Sequence, residues 1–190
     1  MTARTHDAFA FTFLVTGAAL YPPESINLYT LFAAVIGNVM GGMIPDLDTA
    51  GNRIWGFLPA GKSLGKVLRR LFYKHRTVTH SLIGMYVIFL FLHWIIPKLF
   101  NPEFIDHTIL LASIMVGYAS HLFADSLTED GIPLFFPINF DFGIPPIRST
   151  RIKTGGWFEK FVVLPVLGIY IVWLINNFSE TFKSVLANIG

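Results

Sequence analysis

Five stretches of the chain carry no Asp, Glu, Lys or Arg: residues 8–23, 25–45, 77–97, 107–124 and 161–179. Crossing a hydrocarbon core of about 30 Å takes roughly 20 helical residues, with about 17–25 as the working range. Four stretches meet that length. The first is shorter, and Pro22–Pro23 trims it further. The remaining chain is too polar, or too often broken by Pro and Gly, to span. The pattern predicts an all-α fold, a polytopic membrane helical bundle forming one integral-membrane domain over residues 1–190. About five transmembrane helices are expected near 8–21, 26–44, 80–97, 108–124 and 161–178, with long loops near 45–79 and 125–160. The first segment has a second reading. Arg4, the apolar run from Ala8 to Leu20 and the small residues Gly17–Ala19 resemble a cleavable leader.

Composition agrees with a membrane protein. Of 190 residues, 53% are hydrophobic and only 14% charged, against about 25% charged in soluble domains. Mean hydropathy is +0.58. A water-soluble globule and a disordered chain are both disfavoured. The net charge of +2 gives no basic footprint for nucleic acid, and no direct nucleic-acid binding is expected. Cysteine is absent, which excludes disulfides and thiolate metal sites.

The placement of charge predicts orientation, because Lys and Arg concentrate on the cytoplasmic side. With the N-terminus inside, the inner segments hold Arg4, then Arg53, Lys62, Lys66, Arg69, Arg70, Lys74 and Arg76, then Arg148, Arg151, Lys153 and Lys160. The outer segments hold Lys98 and Lys183. The asymmetry predicts a multi-pass protein of the cytoplasmic (inner) membrane, N-terminus inside and C-terminus outside.

Both inner loops have features of their own. From Lys62 to Lys74, apolar residues recur at helical spacing (Leu64, Val67, Leu68, Leu71, Phe72), with Lys62, Lys66, Arg69, Arg70 and Lys74 on the other face. This predicts one basic interfacial helix resting on anionic headgroups; the alternative is a docking surface for a cytosolic protein partner. The second loop holds four prolines, four glycines and five phenylalanines between Ser126 and Lys160. It cannot be one helix, and its aromatic content suggests that it lies on the interface or packs over the mouth of the bundle.

Candidate chemistry gathers at one membrane depth. The second span is expected to end near Ile44, since the residue before a proline is biased away from helix; Asp46 and Asp48 follow at the boundary. His75 and His80 flank the start of the third span. They face one site only if the helix begins between them, with Thr77 or Thr79 as its N-cap. His121 and Asp125 close the fourth span at i and i+4, on one helix face, where ionisable residues in an otherwise apolar helix suggest function. His6 and Glu159 fall at the same level. His93 and His107 fall toward the outer side and are read as helix-contact and headgroup residues. Imidazoles with carboxylates suit Zn²⁺ or Mn²⁺, with iron a further candidate, better than Ca²⁺. One catalytic ion fits, as do two ions sharing a carboxylate about 3.5–4 Å apart and activating water against a phosphoester.

These motifs, THDAF (His6), GGMIPDLD (Asp46, Asp48), HRTVTHS (His75, His80), GYASHLFADSLTEDG (His121, Asp125) and TGGWFE (Glu159), run in one order along nearly the whole chain. In that order the sequence resembles the YdjM-type family of membrane-bound, metal-dependent hydrolases, also described as LexA-binding and inner-membrane-associated. The resemblance implies a helical inner-membrane protein with hydrolase activity and a cytosolic partner; no residues here stand out as carrying such binding. The order Asp, His, then His-x-x-x-Asp is also similar to the ligand order of zinc-dependent phospholipase C, which points toward phosphoester or phospholipid substrates.

The sequence therefore predicts a hydrolase at the inner-leaflet interface. Metal ligands would be His6, Asp46, Asp48, His80, His121 and Asp125, with Glu159, His75 and Arg76 as catalytic residues. Arg76 would hold a phosphate electrostatically. One or two divalent ions are the expected cofactor and membrane lipids the expected partners; the oligomeric state has no signature. Two rivals come from other classes. A divalent-cation transporter would place ionisable residues near the bilayer midplane, and a non-catalytic adaptor would work through the basic loop.

Overall fold

Each uncharged stretch forms a helix: α1 (Ala3–Leu20), α2 (Leu28–Met43), α3 (Leu82–Leu99), α4 (His107–Ser126) and α5 (Leu164–Asn177). The computed structural model describes residues 1–48, 56, 78–187 and 189. The basic helix expected at 62–74, together with His75 and Arg76, lies outside the described residues. A single π-helical turn, Glu159–Val163, leads into α5. A short helix that the charge pattern does not announce, α6 (Ser179–Ala187), follows it.

Local chemistry sets the helix ends. Proline removes a helix hydrogen bond and crowds the preceding turn, and α1 stops at Leu20, just before Pro22–Pro23. Asn27 caps α2 by accepting the Thr30 amide at 2.7 Å. Asp106 caps α4 through the amides of Thr108 and Ile109, at 2.8 and 2.9 Å. The start of α3 differs from expectation. A 3₁₀ turn, Val78–His80, intervenes, and the cap is Ser81 rather than a threonine. Its hydroxyl accepts the Gly84 amide at 3.1 Å and donates to the Val78 carbonyl at 2.7 Å. His80 is thereby held before the helix instead of within it.

Three segments are long and apolar enough to cross a membrane: Leu82–Leu99, His107–Ser126 and Glu159–Asn177. The 16-residue α2 is apolar but shorter, and α1 carries Arg4, His6 and Asp7 in its first turns. The surface is inverted relative to a soluble protein. Tyr86, Phe91 and Trp94 of α3 and Ile169, Val172 and Trp173 of α5 are exposed, whereas Thr5, Asn38, Ser120, His121, Asp125 and Glu159 are buried. Apolar side chains facing outward suit lipid, where nothing is gained by hiding them.

Small residues draw α2 and α4 into backbone contact at the centre of the bundle. A Cβ on Gly41 would stand 2.0 Å from the Ile114 carbonyl oxygen, and one on Gly117 would stand 2.0 Å from that of Asn38. Close approach through small residues is the usual way membrane helices associate, because lipid supplies no hydrophobic drive between them. Tyr118, fully buried, reaches from α4 to donate to the Thr79 carbonyl at 2.5 Å. That bond ties the turn carrying His80 to the helix carrying His121. On the other flank, α1 packs against α2, α4 and α5, with Phe9 against Ala124 and Phe13 close by.

Candidate metal centre

Four elements converge at one end of the bundle. Helix α1 brings His6, the 3₁₀ turn Pro45–Asp48 brings Asp46, the turn Val78–His80 brings His80, and the last turns of α4 bring His121 and Asp125. His6, His80, His121 and Asp125 are buried, and the Asp46 side chain is about one-third exposed, at 35%. Two overlapping groups have ligand atoms close enough together to hold a metal ion: His6, His121 and Asp125, and Asp46, His80 and His121.

The distances have a geometric meaning. His80 Nε2 lies 3.5 Å from Asp46 Oδ1 and 3.7 Å from Asp125 Oδ2. His121 Nε2 lies 3.7 Å from Asp46 Oδ1 and 3.6 Å from Asp125 Oδ2. All four exceed the usual hydrogen-bond range. A tetrahedral ion with bonds of about 2.0–2.2 Å separates its ligands by roughly 3.3–3.6 Å. Square-planar or octahedral neighbours at the same bond lengths would be roughly 2.8–3.1 Å apart. The four separations, 3.5–3.7 Å, lie at the top of the tetrahedral range or 0.1 Å above it, and clear of the shorter one.

Protonation favours the same conclusion. His121 Nδ1 donates to the Gly42 carbonyl at 2.7 Å, which in the neutral ring leaves the lone pair on Nε2. That atom is buried and has no hydrogen-bond partner among the described residues. A buried acceptor left unmatched costs free energy unless something electropositive meets it, and an orienting carbonyl behind the ring is the usual arrangement of a ligating histidine. The donor set therefore fits a divalent ion. His6 stacks on His121 with ring centroids 3.8 Å apart and planes 7° apart. Its Nε2 lies 3.2 Å from Asp125 Oδ1, and the Met1 amine holds the same oxygen at 2.5 Å. Asp125 thus turns one oxygen toward α1 and the other toward His80 and His121.

Burial pushes the His80 imidazole below its ordinary 6.5, against the opposing pull of Asp46. Burial alone would raise the Asp46 carboxyl, but its close approach to the His80 imidazole and the nearby His121 hold it down at about 2. At neutral pH the pair therefore presents a neutral imidazole and a carboxylate, the forms that bind metal. In the metal-free protein the unfolded chain takes up the His80 proton first as pH falls. The stability contributed by His80 is complete above 6.5 and is lost as pH falls through its lower folded value. His80→Gln should flatten the dependence of thermal stability on pH just below 6.5. An unchanged slope would contradict this.

Glu159 belongs to a different network. Its Oε1 accepts the Thr2 amide, the Thr2 hydroxyl and the Thr5 hydroxyl at 2.7, 2.8 and 2.5 Å, and its Oε2 accepts the Gly155 amide at 2.7 Å. The carboxylate pins the beginning of α1, one residue before His6. The sequence pattern suggested the depth of Glu159 but not this clamp; hydroxyl donors at positions 2 and 5 are its only trace. Asp48 closes the Asp46 turn, and its side chain lies outside the described residues. His107 sits at the far end of the bundle with its Nε2 donating to the Phe100 carbonyl at 2.8 Å. His93 stacks near Phe89.

Residues 1–184 match the YdjM inner membrane protein family. The chain belongs to that family. It is 32% identical over 163 residues to the uncharacterized protein YvsG of Bacillus subtilis (strain 168), covering 86% of this chain and 88% of that protein. It is 28% identical over 143 residues to the inner membrane protein YdjM of Escherichia coli (strain K12), covering 73% of this chain and 64% of that protein. No solved structure matches it. YdjM membership and the apolar helices make this an inner-membrane protein.

Proposed function

We propose that this YdjM-family protein is a membrane-bound, metal-dependent hydrolase acting on a phosphoester, with phospholipids the leading substrates. The observation that carries the reading is the quartet Asp46, His80, His121 and Asp125, in which each imidazole Nε2 lies 3.5–3.7 Å from an oxygen of both carboxylates. One ion is favoured over two. His121 belongs to both candidate groups, yet its Nδ1 is committed to Gly42, and one lone pair serves one ion. Two imidazoles and two carboxylates favour zinc, then manganese. A bound divalent ion supplies Lewis-acid stabilisation of phosphoryl oxygens and acidifies water at neutral pH.

The chain's own residues divide the remaining work. His80, His121 and Asp125 form the buried base of the centre, while half-buried Asp46 stands on its accessible side, placed to exchange with substrate or accept a proton. His6 holds Asp125 from behind. Glu159 acts as a positioning residue by fixing the start of α1. Asp48 and His75 are further ligands or proton carriers in this reading, and Arg76 holds the phosphate. The five helices are read as five spans with the centre on the cytoplasmic side, following the distribution of Lys and Arg. A cation transporter has less support, because the quartet sits at one end of the bundle and α2 and α4 touch backbone to backbone beyond it.

Metal-stripped protein in lipid vesicles, reloaded with Zn²⁺ or Mn²⁺, should release headgroup phosphate from phospholipids or cleave a generic phosphodiester. His121→Ala should not. Metal-loaded protein that turns over neither class would overturn the hydrolase reading.

A further inference from the structure

The segment joining α4 to the π turn before α5 is an ordered flap with its apolar side outward. Ile132 and Phe142 pair antiparallel, exchanging backbone hydrogen bonds of 2.9 and 2.7 Å. Thr128 bridges Ile152. Arg151 donates to the carbonyls of Pro145 and Pro146 at 2.7 and 2.9 Å, over Gly143, where a Cβ would collide with the guanidinium. Yet Phe135, Ile138, Phe140, Ile144 and Ile147 are exposed, Ile138 and Ile147 at 65% each. Single exposed apolar residues are ordinary, but a concentration of them marks an interaction surface.

Its position argues for what covers it. The flap leaves α4 at Ser126 and reaches Glu159, and both are ends of segments able to cross the membrane. Trp157, Phe158 and Phe161, where the chain enters the last membrane-length segment, are exposed as well, so exposed apolar residues recur along the chain from the flap into that segment. Lys153 and Lys160 are exposed beside it, as suits anionic headgroups; Arg148, also exposed, pairs with Asp130 at 3.5 Å, and Asp141 is the one acid between residues 133 and 147. Two backbone bonds tie the flap to the metal centre. The Leu134 carbonyl accepts the Leu82 amide at 3.0 Å, two residues after His80, and the Ser126 carbonyl, next to Asp125, accepts the Ile144 amide at 2.8 Å.

We propose that residues 133–147 form an interfacial wedge inserting Phe135, Ile138, Phe140 and Ile147 into the leaflet on the metal side. The wedge fixes the centre at headgroup depth. On the hydrolase reading, from which the second half of the inference follows, the substrate is a membrane lipid with a phosphoester headgroup that reaches the centre along the leaflet.

The chain has no cysteine, so one introduced cysteine carries one nitroxide. Full-length Ile138→Cys, Phe140→Cys and Ile147→Cys, with Asp130→Cys as the reference, would be spin-labelled in phosphatidylethanolamine–phosphatidylglycerol vesicles. Collision with oxygen and with a water-soluble nickel chelate would then be compared. All four side chains are exposed, so no core packing is lost; Asp130→Cys gives up only the solvent-exposed ion pair with Arg148 at 3.5 Å. Oxygen collisions should dominate at 138, 140 and 147, and nickel collisions at 130. Nickel dominance at 138 and 140, or burial from both agents beneath another protein surface, would overturn the wedge. Metal content measured on the same samples separates the two ideas. Labels in lipid without metal would keep the wedge and remove the lipid-hydrolase assignment, whereas metal with labels in water would remove the wedge alone.

Discussion

Asp125→Asn should empty the metal centre while leaving the helices in place. Asparagine keeps the shape of the side chain but removes the charge that would make Oδ2 a strong ligand to an ion shared with His80 and His121. Loss of an orienting partner costs roughly 10–100-fold in metal affinity, and loss of an anionic ligand should exceed that. The other oxygen of Asp125 faces His6 and the Met1 amine, so the substitution also unbalances buried charge. Breaking a buried pair costs about 3–5 kcal/mol when one partner is removed outright; the amide, still able to accept a hydrogen bond, should cost less. The metal titration and the thermal melt of this variant should therefore separate, with affinity falling far more than stability. Unchanged metal content would remove Asp125 from the centre.

Gly117→Ala should damage the whole bundle through a single methyl group. The added carbon would stand 2.0 Å from the Asn38 carbonyl oxygen, and backbone atoms cannot rotate away as a side chain can. Helices α2 and α4 must part or slide. The expected loss is about 3 kcal/mol, the upper end of ordinary overpacking. The Gly42–His121 bond crosses the same contact, so metal affinity should fall as well. Gly17→Ala is the control. Among the described residues, nothing beyond its own helix backbone and chain neighbours lies within 4 Å of its added carbon, and alanine favours helix over glycine, so stability should hold or rise slightly. Equal behaviour of the two variants in detergent melts would contradict the close-packed contact.

The helices, and the gathering of the candidate ligands at one end of the bundle, were legible in the sequence for a simple reason. Charge is costly in hydrocarbon, so gaps between charged residues trace α1 to α5 to within a few residues at most ends. The i and i+4 spacing of His121 and Asp125 placed both on one face of α4, and the proline after Ile44 placed Asp46 beyond α2. What was not legible depends on contacts remote in sequence. His80 reaches the centre because a 3₁₀ turn and Ser81 delay the start of α3, and the flap's Leu134 carbonyl supports that start. Glu159 shares the depth of the ligands, yet Thr2, Thr5 and Gly155 claim its oxygens. The stacking of His6 on His121 follows from the crossing of α1 and α4, which neither helix's own pattern records. Order in the Pro- and Phe-rich loop comes from the Ile132–Phe142 pairing and the Arg151 bonds, where composition alone indicated only that no single helix could form.

On the proposed reading, Asp46, His80, His121 and Asp125 hold one divalent ion. Elemental analysis of protein purified without added metal or metal-affinity resin tests it most directly, alongside His121→Ala prepared identically. About one equivalent of zinc or manganese per chain is expected, as four ligands around one ion require, and almost none in the variant. Trace metal in the wild-type chain that does not rise on incubation with Zn²⁺ or Mn²⁺, or equal metal in both proteins, would contradict it.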